Sequence, residues 1–184
     1  MGHLVGKDDI RVDPKNIEAM KECSHPKTLK IFRLFLGLTG YYREFVKNYG
    51  NIVSPLTALL KKNSFTWTPV VAQDFQTLNM AMCTTPFLAL PDFTKTFMLE
   101  CDASGKGIGV VLMKEGQPLA FTSKKISERN LGKSIYEKEI LAILHAVDLW
   151  HPYLLGQWFQ IKTDHQSLKY FLEQCISSQS NKNG

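Results

Sequence analysis

The rhythm of hydrophobic positions changes near residue 95. Before that point they recur at helical spacing. In "KTLKIFRLFLGLTGYYREFVKNYG", Leu29, Phe32 and Leu36 form one set and Ile31, Phe35 and Leu38 another, three or four residues apart. Gly37 and Gly40 are expected to end that helix and release a second one at Tyr41, with Gly50 as the next stop. Upstream, "DPKNIEAMKEC" predicts a helix with Asp13 as N-cap and Pro14 at its first position, closed by His25-Pro26. "VSPLTALLKK" predicts another, with Ser54 as N-cap and Pro55 at N1. "MGHLVG" reads as a short strand, "NSFTWTP" as a turn or linker, and "VVAQDFQTLNMAMCTT" as a further helix.

Beyond residue 95 the apolar residues run in short stretches punctuated by glycine. Phe97–Asp102, Gly107–Lys114 and Pro118–Ser123 read as three strands joined by the turns "SGKG" and "KEGQP". A long helix follows from about Ser134 to Trp150, then the strand "WFQIKTD" and the short helix "HQSLKYFLEQ". The polar tail "CISSQSNKNG" is expected to fray. The order β-β-β-α-β-α predicts a mixed sheet with helices packed on it, a fold of the α+β or α/β class. In such a sheet the first and fourth strands can be neighbours.

Three carboxylates stand out against this pattern. Asp102 interrupts two core-like strands in "FMLECDASGKGIGVVL", followed by the small residues Ala103, Ser104 and Gly105. Asp164 ends the strand "WFQIKTD". On the long helix, 100° steps gather Glu137, Lys138, His145 and Asp148 on one side and Ile140, Ile143, Ala146, Val147 and Trp150 on the other. Glu139 falls on the apolar side. "SIYE" explains Glu137 as the acid of a capping box. Glu139 has no such role, and a buried carboxylate costs several kcal/mol, in order of magnitude, unless paired or metal-bound. Each acid also has an ordinary explanation. Glu139 can snorkel or meet a lysine, Asp164 can cap the next helix, and Asp102 can start a turn. Together they predict an acidic cluster at one end of the sheet, held by a cation. Hard oxygen ligands suit Mg²⁺ or Mn²⁺, and two such ions serve attack on a phosphodiester.

Charge adds a second expectation. Residues 1–62 hold 11 Lys/Arg and 6 Asp/Glu, whereas residues 63–184 hold 11 of each, so the first third carries the whole net charge of +5. That suggests a face for a polyanion, or simply a solvated helical surface. At 184 residues, 44% hydrophobic and 21% charged, the chain has the composition of one globular domain or two small ones. No apolar run is long enough to span a membrane, and the N-terminus lacks the layout of a secretory signal. Cys23, Cys83, Cys101 and Cys175 form no CxxC pair, which fits a reducing, intracellular location in cytoplasm or nucleus. His3, His25, His145, His151 and His165 show no metal-ligand spacing, and Trp67, Trp150 and Trp158 are expected in the core.

The stretches "LECDASGKGIGVVLMKEGQPLAFTSKKIS", "YEKEILAILHAVDLWHPYLLGQWFQIKTDHQSL" and "FLGLTGYYREFVKNYGNIVSPLTALLKK" resemble the Pol polyprotein of gypsy-type LTR retrotransposons over roughly residues 1–174. The resemblance implies the end of a reverse transcriptase palm (1–13), a small helical thumb-like segment (14–62), a tether (63–94), a truncated ribonuclease H-like domain (95–174) and a disordered tail (175–184). It implies that Asp102, Glu139 and Asp164 are catalytic acids holding Mg²⁺ (or Mn²⁺), for cleavage of the RNA strand of RNA–DNA hybrids. "MGHLV" resembles the strand-turn that grips a primer end, and "FLGLTGYYREF" resembles thumb helices that track a template–primer duplex. Lys27, Lys30, Arg33, Arg43 and Lys47 are the phosphate contacts implied there. Lys124 and Lys125 are candidates for hybrid phosphates, or residues of a solvated loop. The expected partners are such a duplex and the remainder of a Pol polyprotein, with no membrane. Two features depart from the family pattern. The paired aspartates of the polymerase site are absent; Asp8-Asp9 lie in a polar segment with no strand pattern. No acid follows Glu173, where a fourth catalytic Asp is expected farther on. Three readings follow: a ribonuclease H, a catalytically inactive nucleic-acid-binding remnant, or a degenerate fragment without function.

Overall fold

A computed structural model describes residues 2–23, 25–84, 87–104 and 106–163. The helix expected over residues 165–174, Asp164, His165 and the tail lie outside these residues.

Three short strands come together first. β1 (His3–Val5) pairs antiparallel with β2 (Asp9–Val12), which pairs with β3 (Leu88–Ala89). The Asp8-Asp9 segment thus runs into a strand, contrary to expectation. Only Ile10 and Val12 alternate inward there, a pattern too short to read as a strand.

α1 (Pro14–Glu22) starts as its sequence dictates, with Asp13 Oδ1 accepting from the Lys15 N–H at 3.0 Å. α2 (Leu29–Tyr41) differs from expectation by running through Gly37 and Gly40. Each interior glycine costs about 1 kcal/mol relative to alanine. Burial of Phe32 and Phe35 on one face returns about 1.5–3 kcal/mol apiece, so packing overrides the local signal. α3 (Tyr49–Thr57) also begins earlier than Ser54-Pro55 suggests and contains Pro55. Its early start has a tertiary cause. The Gly50 N–H, unpaired within the first turn, donates to Ser123 Oγ at 2.6 Å. α4 (Pro69–Cys83) is capped by Thr68 and buries Phe75, Leu78 and Met82.

The second sheet has the order β6-β5-β4-β7, from β4 (Phe97–Ala103), β5 (Gly107–Lys114), β6 (Gln117–Lys125) and β7 (Phe159–Thr163). β4 and β7, the first and fourth strands of this unit, are parallel neighbours, with Cys101 opposite Thr163. The other pairs are antiparallel. The crossover is made by α5 (Ile135–Leu149) and α6 (His151–Leu154). This is the mixed, ribonuclease H-like sheet with packed helices that the sequence predicts.

Each face of the sheet has its own core. Phe97, Leu99, Cys101, Val110 and Leu112 pack with Ala142, Ala146 and Trp150 of the α5 layer. Val111 and Phe121 pack on the other face, against the cluster of α1–α4. A bulge lets β6 serve both. Leu112 faces Ala120 and Met113 faces Pro118, leaving Leu119 as the extra residue. Trp158 is 92% exposed rather than core. Phe159, Ile161 and Thr163 take the inward positions of β7, so the alternation of the strand excludes Trp158.

Candidate metal centre

α5 is the element that carries the central acid. Ser134 Oγ accepts from the Glu137 N–H at 3.2 Å, and the Glu137 carboxylate returns a 2.9 Å bond to the Ser134 N–H. These bonds, with the hydroxyl of Ser134 and Lys133, hold the Glu137 carboxyl below its ordinary range. The capping box therefore uses up Glu137 and leaves Glu139 to face the sheet, as the helical pattern predicts. The buried stripe is nevertheless displaced from the predicted one. It runs through Lys138, Glu139, Ala142 and Ala146, and Ile140, Ile143 and Val147 are only half-buried. Two alanines let the helix lie close on the sheet at this stripe. Lys138, expected on the solvent side, is buried as a result.

Glu139 is 4% exposed, and Thr163 Oγ1 donates to its Oε2 at 2.6 Å. Among the described residues no lysine or arginine forms an ion pair with it. Its burial removes one ordinary explanation, that it snorkels, and no lysine among the described residues supplies the other. Its charge is felt next door. The Cys101 thiol is pushed up to about 12, first by burial and then by Glu139 and Glu100.

Asp102 stands at the C-terminal end of β4, opposite Gly109 of β5. It is exposed, and it opens away from the α5 core, onto a small pocket with Lys47, Asn48 and Glu100. Strand alternation is the cause: Cys101 faces α5, so Asp102 faces the helical segment. Asp102 and Glu139 thus approach the C-terminal ends of β4 and β7 from the two faces of the sheet. Among the described residues no cluster of three His, Cys, Asp or Glu side chains forms a metal cage. The third predicted acid, Asp164, lies outside those residues. The donors present are hard carboxylate oxygens, chemistry that fits Mg²⁺ or Mn²⁺.

The basic candidates fall into separate groups. Lys27 precedes α2, and Lys30 and Arg33 lie on it; all three are exposed. Arg43 and Lys124 line a cavity of about 620 Å³ with Tyr49, Thr122 and His145, which neither Asp102 nor Glu139 reaches. His145 Nε2 lies 3.2 Å from Thr122 Oγ1, and burial followed by Lys124 lowers its pKa. Lys125 is exposed at the end of β6, opposite Gly107. Lys47 alone borders Asp102. Thr163 was not singled out by the sequence, although it directly precedes a predicted ligand. Lys162, which bonds Glu100 at 3.2 Å, was also missed.

Residues 67–161, just over half of the chain, match the family model for the RNase H-like domain found in reverse transcriptase. The chain belongs to this reverse-transcriptase RNase H-like family. It is 40% identical over 172 residues to the retrovirus-related Pol polyprotein from transposon 297 of Drosophila melanogaster, covering 92% of this chain and 16% of that protein. It is 35% identical over 184 residues to the corresponding polyprotein from transposon gypsy, covering 92% and 18%. The RNase H-like domain here therefore has retrotransposon Pol polyproteins as homologues, and the chain spans less than a fifth of their length. Among solved structures, the foamy viral protease-reverse transcriptase in complex with dsDNA shares the fold. Its TM-score is 0.78 at 20% identity, over 94% of this chain and 39% of that one. The same enzyme with an RNA/DNA hybrid gives 0.76 at 20% identity, over 89% and 24%. Among the described residues no helix is long and apolar enough to cross a membrane.

Proposed function

We propose that this RNase H-like domain hydrolyses the RNA strand of RNA–DNA hybrids as part of a retrotransposon Pol polyprotein. Asp102, Glu139 and Asp164 are the proposed ligands of Mg²⁺ or Mn²⁺. The observation that carries the reading is Glu139: a carboxylate buried against the sheet with a hydroxyl partner and, among the described residues, no cationic one. Such a group is stabilised by a bound cation.

When bound, the metal supplies positive charge for the phosphate and a water of lowered pKa. The protein's residues do the rest. Asp102 presents an exposed carboxylate at the end of β4, beside the helical segment, where a duplex is proposed to reach it. Glu139 is held from beneath by Thr163. Lys47, at the edge of the Asp102 pocket, and Lys124 and Lys125 are proposed to hold phosphates. Lys27, Lys30, Arg33 and Arg43 are proposed to extend that contact over the helical segment. A neighbour of the same fold has been solved with an RNA/DNA hybrid, which supports this class of partner.

A second reading, hybrid binding without cleavage, draws on the charge surplus of residues 1–62. Hybrid cleavage in Mg²⁺ separates the two. Wild type is expected to cut the RNA strand and Asp102→Asn to lose at least about 100-fold, the range for a group acting at the reacting phosphate. Equal cutting by both contradicts the catalytic assignment. Binding with no cutting by either favours the second reading.

A further inference from the structure

We infer that Thr163 is a positioning residue that orients the Glu139 carboxylate for its cation; this rests on the metal-site reading above. Thr163 is the last described residue of β7, 6% exposed, and its backbone is registered against Cys101 in the parallel ladder. Its branched Cβ restricts χ1, so strand and rotamer together fix where the hydroxyl points. That hydroxyl donates 2.6 Å to Glu139 Oε2.

The choice of donor matters. A buried carboxylate left unpaired carries the full desolvation penalty. A lysine in this place would neutralise Glu139 and compete with a metal ion. A hydroxyl satisfies one lone pair of Oε2, fixes the rotamer and leaves the negative charge in place. Oε1 and the rest of Oε2 stay available as oxygen donors. Partners of metal ligands commonly act in this way, and their loss weakens metal binding by about 10–100-fold.

The test is Mn²⁺ titration of the chain as it stands, read from the electron paramagnetic resonance signal of free Mn²⁺, with circular dichroism to verify folding. Thr163→Val is expected to weaken Mn²⁺ binding about tenfold or more, and Thr163→Ser to stay within about twofold of wild type. In a Glu139→Gln background the valine substitution is expected to change little, because the charged ligand that Thr163 orients is already gone. Should Thr163→Val not fold, Thr163→Ser and Thr163→Ala replace it, since both lose the methyl group and only serine keeps the hydroxyl. Equal Mn²⁺ affinity with and without the hydroxyl overturns the inference and leaves the metal site standing. Glu139→Gln binding as tightly as wild type, or no binding by wild type, overturns the metal-site reading and this inference with it.

Discussion

Asn48 and Gly109 interlock the helical segment with the sheet. A Cβ on residue 109 would lie 2.7 Å from Asn48 Oδ1, closer than real Cβ contacts allow. Asn48 precedes α3 with φ 57°, a left-handed conformation that asparagine tolerates well, and Gly109 is the strand partner of Asp102. A Cβ at Gly107 would likewise meet the Asn51 side-chain amide, which would have to move aside. The helical segment is therefore seated beside the candidate ligand.

Gly109→Ala is expected to destabilise the fold by about 1–3 kcal/mol through overpacking. Asn48→Gly removes the obstructing amide and suits a positive φ, so the double variant is expected to recover part of the loss. Urea unfolding of the four proteins measures this. A Gly109→Ala midpoint equal to wild type would show that the two elements are not interlocked.

The Glu137 capping box gives a pH-dependent signature. Its carboxyl titrates lower in the folded chain than in the unfolded one, chiefly through the Ser134 N–H. The stabilisation is therefore complete above the ordinary carboxylate range and is lost as pH falls through the folded value. The difference in Tm between wild type and Glu137→Gln is expected to hold steady down to about pH 5 and to shrink below it. A difference that grows in acid contradicts the cap.

Cys101 is expected to resist alkylation. With its pKa at about 12, only about one thiol in ten thousand is ionised at pH 8. Cys23 and Cys83 are also raised by burial but are half-exposed by comparison. Iodoacetamide labelling followed by peptide mass spectrometry is expected to show Cys101 modified last, and rapidly only in denaturant. Labelling of Cys101 at the rate of Cys23 in the native chain contradicts the packing of β4 beneath α5.

On α2, Lys30 and Arg33 are exposed and form no ion pair among the described residues, which suits phosphate contact. Log affinity for an RNA–DNA hybrid is expected to fall linearly with log salt, and Lys30→Ala and Arg33→Ala each to reduce the slope by about one. Unchanged slopes would remove this face from the interface.

The sequence announces the elements whose signal is local and long. The three strands within residues 97–123, the capped helix α5 and a mixed sheet in which β4 can neighbour β7 follow from alternation, Ser134 and the crossover rule. It misreads elements whose bounds depend on distant partners. Gly37 and Gly40 look like helix ends until Phe32 and Phe35 find their core, and Ser54-Pro55 looks like a start until Ser123 satisfies Gly50. At the site, the excess of one acid on an apolar helix face picks Glu139 over Glu137. Thr163 carries no such signal, because a threonine in a strand is ordinary until the neighbouring helix brings a carboxylate to it.

The most direct test of the central claim is anomalous diffraction from crystals of this chain grown with Mn²⁺. A manganese peak bounded by the carboxylates of Asp102 and Glu139, at the C-terminal ends of β4 and β7, is the predicted result. Well-ordered carboxylates there with no manganese between them, at Mn²⁺ concentrations that saturate a ribonuclease H, would contradict it.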